Sequence, residues 1–147
     1  MEAFTNAVLG IKEISRHLKP GLSALKGNSC FIKTSNPKSL NGSVDIDEAL
    51  KNLMPGDNRW DYVFGYVGKA YFIEVHPADT SNAKEMLKKV AWLKTWLSTT
   101  AQPLKDIHAD GCFHWCPSGR VKISPNSPQY RQMLSAGIRI TKILNLR

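Results

Sequence analysis

Residues 59–76, Arg-Trp-Asp-Tyr-Val-Phe-Gly-Tyr-Val-Gly-Lys-Ala-Tyr-Phe-Ile-Glu-Val-His, constrain the fold more than any other stretch of the chain. Two runs, 60–67 and 70–76, are dense in aromatic and β-branched side chains, which suit a pleated, half-buried surface. Gly68-Lys69 lies between them, so the pattern predicts two antiparallel strands joined by a tight turn. One residue breaks the apolar character. Glu74 follows Tyr71-Phe72-Ile73, and a carboxylate there is costly without a partner. Strand alternation puts Glu74 and His76 on one face. Asp61 opens the first strand, 74 − 61 = 13 residues before Glu74. A tight turn brings the start of one strand level with the end of the other, so two carboxylates meet with an imidazole beside them.

The remaining pattern places elements around this hairpin. Phe4, Ala7, Val8, Ile11, Ile14 and Leu18 have helical spacing, which predicts a helix over 4–18 ended by Pro20-Gly21. Residues 29–34 read as a short strand and 35–43 as a loop by composition. A short helix is expected over 45–53, stopped by Pro55-Gly56. Asn82 with Glu85 resembles a capping box, and Ala83, Met86, Leu87, Val90, Leu93 and Leu97 form the inner face of a helix over 82–97. Residues 111–117 and 120–123 read as a second hairpin around Ser118-Gly119. Ser127-Pro128 starts a last helix, ending near Gly137, and 141–146 is a final strand. The expectation is one α/β domain over 1–147, a mixed central sheet with flanking helices.

Composition narrows the setting. The 147 residues suffice for one well-filled core, and 42% hydrophobic with 22% charged residues is ordinary for a globular chain. No apolar run approaches the ~20 residues of a membrane span, so no membrane partner is expected. Met1-Glu2-Ala3-Phe4 lacks a basic start and a long apolar stretch, so no secretory signal is expected. Three cysteines make a disulfide scaffold a poor reading and favour a reducing, cytoplasmic compartment. Net charge is 20 − 12 = +8, and it is uneven: residues 111–147 carry six basic residues and no acidic one. Such a third suits a polyanion, with Lys89, Arg120, Lys122 and Arg131 as candidate nucleic-acid contacts. A solubilising surface is the alternative.

Convergent carboxylates supply hard oxygen ligands, so Asp61 and Glu74 are candidate ligands of Mg²⁺ or Mn²⁺. A bound ion polarises a phosphodiester and activates water, and a basic neighbour orients that water. On Asp61 and the Glu74-Val75-His76 run, the chain resembles the PD-(D/E)xK nuclease superfamily. The resemblance implies a restriction-endonuclease-like fold: a helix, a three-stranded meander, a helix and a further strand. Asp61 matches the first acid and Glu74 the second, and His76 stands where the family has lysine. It implies a divalent-metal-dependent nuclease with Asp61, Glu74 and His76 in the site. The lysine function would come from the following helix, which offers Lys84, Lys88, Lys89 and Lys94, with Lys88 the choice. Residues 35–56 would be an insertion. The alternative is an inactive module of the same fold that binds nucleic acid or a protein partner.

Competing assignments exist for each residue. Asp61 could pair with Arg59, and Glu74 with Lys69. Cys112, His114 and Cys116 are zinc-ligand types, but on a strand they point one way and span about 13 Å, too far for one ion. Buried cysteines are the commoner explanation. Trp60, Trp92, Trp96 and Trp115 suit a core better than base stacking. Trp92 and Trp96, four apart on a helix, would also suit a homodimer contact.

Overall fold

The computed structural model describes residues 2–147. In chain order the elements are α1 (Glu2–Leu9), β1 (Ile32–Thr34), β2 (Leu40–Asp45), α2 (Ile46–Leu50), β3 (Tyr62–Tyr66), β4 (Lys69–Ala78), α3 (Ala83–Thr99), α4 (Gln102–Lys105), β5 (His108–Val121), α5 (Pro128–Ser135), β6 (Ile138–Ile140) and β7 (Leu144–Leu146). The main sheet has five strands in the order β2-β3-β4-β5-β6. β2, β3 and β4 form an antiparallel meander, whereas β4, β5 and β6 run parallel. A parallel neighbour needs a crossover, and α3 and α5 supply the two crossovers.

The strands form because alternation satisfies both faces of the sheet. Val63, Phe72 and Trp115 join Phe4, Val8, Met86 and Leu93 in a core on the helix-bearing face. Phe64, Tyr66, Ile73 and Cys116 face the other way, onto Leu25, Ile32 and Leu146. There β1 and β7 make a separate two-stranded parallel ladder. Close approach is built into the helix side. A Cβ on Gly65 would collide with Cγ and Cβ of Phe4, so Phe4 fills the space that a side chain at this position would need.

Several expectations are corrected by tertiary context. The predicted 4–18 helix ends at Leu9, because Gly10 follows and glycine is a poor helix interior residue. Ile11 and Ile14 are still buried, but from turns and a single 3-10 turn, Ser15–His17. The predicted 29–34 strand is 3-10 through Phe31, and only Ile32–Thr34 is extended. The loop expected at 35–43 contains the start of β2, and β2 is the first strand of the meander. Its polar residues are used. Ser43 Oγ accepts from Ala24 N–H, and Asn41 Oδ1 accepts from Gly68 N–H. The expected 111–123 hairpin is one strand, β5, because β4 offers it an edge as far as Ala78, opposite Val121. Gly119, at φ +123, accompanies a register irregularity there rather than a turn. Of the expected 141–146 strand only Leu144–Leu146 is extended, as β7, and an unexpected strand, β6, precedes it at Ile138–Ile140 in the other sheet. The capping box also moves upstream: Asp79 and Asn82 form it around the 3-10 turn that leads into α3.

The hairpin forms as expected, with its turn one residue earlier. Tyr66 pairs with Lys69, leaving Val67-Gly68 as the two-residue loop. Both have positive φ, 49° and 75°, as a type I′ turn requires. A β-branched residue in that region is strained by ~1–2 kcal/mol, and Val67 is exposed, so its side chain gains little in return. Val67→Asn should therefore stabilise the fold by about 1 kcal/mol, read as a rise of about 2–4 °C in Tm. An unchanged or lower Tm would show that the turn is not strained.

Candidate active site

Beyond the last backbone pair of the β3–β4 ladder, Tyr62 with Ile73, side chains continue the pairing. Asp61 N–H donates to Glu74 Oε1 at 3.0 Å, and Val75 N–H donates to Asp61 Oδ2 at 3.0 Å. The carbonyl of Asp61 accepts from Ile46 N–H at 2.8 Å, which ties this corner to α2. From α3, Lys89 Nζ reaches Glu74 Oε2 at 2.6 Å. Two acids from neighbouring strands and one lysine from the crossover helix thus converge.

Burial sets the electrostatics. Glu74 is 1% exposed. Its carboxyl is pushed up to about 8, first by burial and then by the charge of Asp61, with Lys89 pulling the other way. Asp61 is raised too, mainly by burial, against the Val75 N–H and Lys89. Burial alone would lower Lys89, but the charge and hydrogen bond of Glu74 outweigh it, so Lys89 is raised. Close buried carboxylates resist double ionisation. At neutral pH the pair therefore favours holding one proton, or a cation in its place.

Lys88 and Lys89 trade the expected places. At ~100° per residue, Lys88 falls opposite the buried stripe of α3 and Lys89 at its border. Lys88 is exposed, whereas the Lys89 side chain is 16% exposed and holds Glu74. Helical phase could have singled out Lys89 from sequence. His76 is on the expected face but turned away: Nε2 lies 2.9 Å from Glu85 Oε2, and Nδ1 lies 3.1 Å from the Pro77 carbonyl. Glu85 and Lys89 are one helical turn apart, so α3 makes two polar contacts to alternate residues of β4. The competing partners are engaged elsewhere or exposed. Arg59 pairs with Asp47 at 2.9 Å, and Lys69 is exposed.

The other candidates separate. Arg120 and Lys122 are exposed where β5 ends, and Arg131 is exposed on α5, donating to the Asn126 carbonyl at 3.0 Å. Cys112 belongs to the helix-side core and Cys116 to the opposite cluster, so they do not point the same way. Gly111, at φ +59, and a register shift interrupt the alternation there. Burial pushes both thiols up to about 12. His114 is lowered to about 4, first by burial and then by Arg139, and its Nδ1 lies 2.9 Å from Thr141 Oγ1. Trp60 and Trp115 are fully buried. Trp92 stacks on Trp96 at 5.6 Å, and its indole N–H donates to Asp57, so the chain itself covers much of this pair.

Among the described residues, no group of three or more His, Cys, Asp or Glu side chains could hold a metal ion. The donor set at this corner is two carboxylates. That fits Mg²⁺ or Mn²⁺, which bind through one or two carboxylates and keep waters and substrate oxygens. Among the described residues, no helix is long and apolar enough to cross a membrane. Comparison with protein-family models, with curated proteins and with solved structures finds no match.

Two outcomes test this electrostatic picture. Lys89→Met should destabilise the fold by about 1–3 kcal/mol at pH 7, less than the ~3–5 of a broken buried pair, because Glu74 takes up a proton. Lys88→Met should change it by under about 0.5 kcal/mol. The Lys89 loss should be alike at pH 5 and pH 7, where Glu74 is protonated, and grow at pH 9, where Glu74 ionises; urea titration of both variants at the three pH values measures this. Between pH 4.5 and about 8 the folded state holds more protons on Glu74 than the unfolded chain, so this group makes stability fall as pH rises. His114 acts oppositely between about 4 and 6.5, its stability contribution being lost as pH falls. The difference between wild type and Glu74→Gln isolates the first slope. Parallel profiles for the two proteins would mean Glu74 is not raised.

Proposed function

We propose that the chain is a divalent-metal-dependent phosphodiesterase acting on nucleic acid, built on a restriction-endonuclease-like version of the α/β fold. The observation that carries this reading is the convergence of Asp61, Glu74 and Lys89 from three elements. The PD-(D/E)xK pattern asks for two acids and a lysine, and Lys89 supplies from α3 the cation that His76 does not. The order of helix, antiparallel meander, helix and parallel strand accords with the same reading.

Asp61 and Glu74 would hold Mg²⁺ or Mn²⁺, which when bound polarises a phosphodiester and lowers the pKa of attacking water. The chain's own part is electrostatic. Glu74 is held by the Asp61 backbone amide and Asp61 by the Val75 backbone amide, so no reorganisation is needed to present their charge. Lys89 neutralises Glu74 and sets a positive charge beside the position where phosphate charge develops. His76, fixed by Glu85, borders the site at the end of β4.

A second reading is an inactive module of this fold that binds nucleic acid or a protein. It is favoured by one observation: both oxygens of Glu74 are already engaged, and the group is 1% exposed. Lys89 then takes permanently the place of a metal ion.

Thermal melts with Mg²⁺ or Mn²⁺ and a cleavage assay separate the two. For the phosphodiesterase, Tm of the wild type rises with metal by mass action, and Asp61→Asn and Glu74→Gln both lose the rise and the cleavage. Lys89→Met should keep part of the metal response and lose about 10²-fold or more in rate. A wild type whose Tm ignores metal and that cuts no DNA or RNA replaces the first reading with the second.

A further inference from the structure

Away from the carboxylates, one concave surface gathers cations that have no partners. A cleft of about 560 Å³ is lined by Lys122, Ile123, Tyr130, Ile140 and Lys142, among others. An adjoining hollow of about 550 Å³ shares Lys122 and Lys142 and adds Arg120. No acidic side chain lines either one. None of these three cations takes part in an ion pair among the described residues. Like charges set around one concavity repel one another and raise a positive potential that an anion relieves.

The cleft's position connects it to the site. β4, β5 and β6 run parallel, so their carboxyl ends share one edge of the sheet, the edge where open α/β sheets take ligands. Glu74, Trp115 and Ile140 lie in one register row across these strands. Ile140, a wall of the cleft, is therefore two strands from Glu74, roughly 10 Å. Tyr130, partly buried at the cleft wall, offers an aromatic face of the kind on which a base stacks.

We propose that the cleft bounded by Arg120, Lys122 and Lys142 holds the phosphate backbone of a nucleic acid whose strand runs past the carboxyl ends of β5 and β6. The assignment rests on nucleic acid being the substrate class, and it adds Lys142 and Tyr130 to the contact surface. Phosphate contacts of this kind are independent of base sequence and release counterions.

The test is fluorescence anisotropy in EDTA with labelled single-stranded DNA, single-stranded RNA and duplex DNA, across a salt series. Wild type, Lys122→Ala with Lys142→Ala, and Lys38→Ala as an exposed control are compared, each with its Tm measured. The double variant should bind at least about tenfold more weakly, with a log–log salt slope shallower by about two; Lys38→Ala should bind like wild type. If the wild type binds none of the three probes, or the double variant with normal Tm binds as tightly as wild type, the inference is overturned. Cleft-dependent binding without any cleavage supports the inference and removes the hydrolase reading. Cleavage that ignores Lys122 and Lys142 removes the inference and keeps that reading.

Discussion

A carboxylate in the middle of a buried strand has to be answered by its neighbours, and Glu74 is answered from two directions. β4 has a strand on each side and a core against each face, so Glu74 is almost wholly withdrawn from bulk water. The Asp61 amide and the Lys89 ammonium replace that water. Both contacts also position larger parts. The first sets how far β3 extends beyond its last ladder pair. The second sets the rotation of α3 about its axis, since only one helical position at that level can deliver an ammonium to β4. A one-residue slip of β3 against β4 would turn Asp61 to the other face and leave Glu74 without its donor. The polar network thus specifies register where an apolar contact would tolerate sliding.

The same burial gives this corner its chemical tension. Desolvation and mutual repulsion oppose two negative charges, and one lysine offsets only part of that. The lysine, a proton and an added cation are therefore exchangeable ways of offsetting the negative charge of one site. The basic cleft beyond β5 and β6 is the reverse case, an uncompensated positive surface kept in solvent, where its desolvation cost is small.

Local periodicity made some elements legible. The 60–76 hairpin and the inner face of α3 show because each has one dominant period and a clear stop. The stripe from Phe4 to Ile14 correctly names buried residues but not their conformation, since turns after Gly10 bury Ile11 and Ile14 as well as a helix would. β2 was hidden because Asn41, Gly42 and Ser43 look like a loop, and their use lies in contacts from Gly68 and Ala24, distant in sequence. β5 looked like a hairpin because Ser118-Gly119 is turn chemistry. A full partner edge on β4 outweighed it.

At the candidate site, sequence alone determined that Asp61, Glu74 and His76 occupy comparable levels of one hairpin, because strand alternation and a two-residue turn leave little freedom. It also determined a basic last third. Only tertiary structure decided that Lys89 rather than Lys88 meets Glu74, and that His76 turns to Glu85. It alone joined Arg120, Lys122 and Lys142 around one cleft. Those choices depend on the packing angle of α3 and on the parallel order of β4, β5 and β6. Both are set by which apolar surfaces can be buried at once, and no local spacing encodes that.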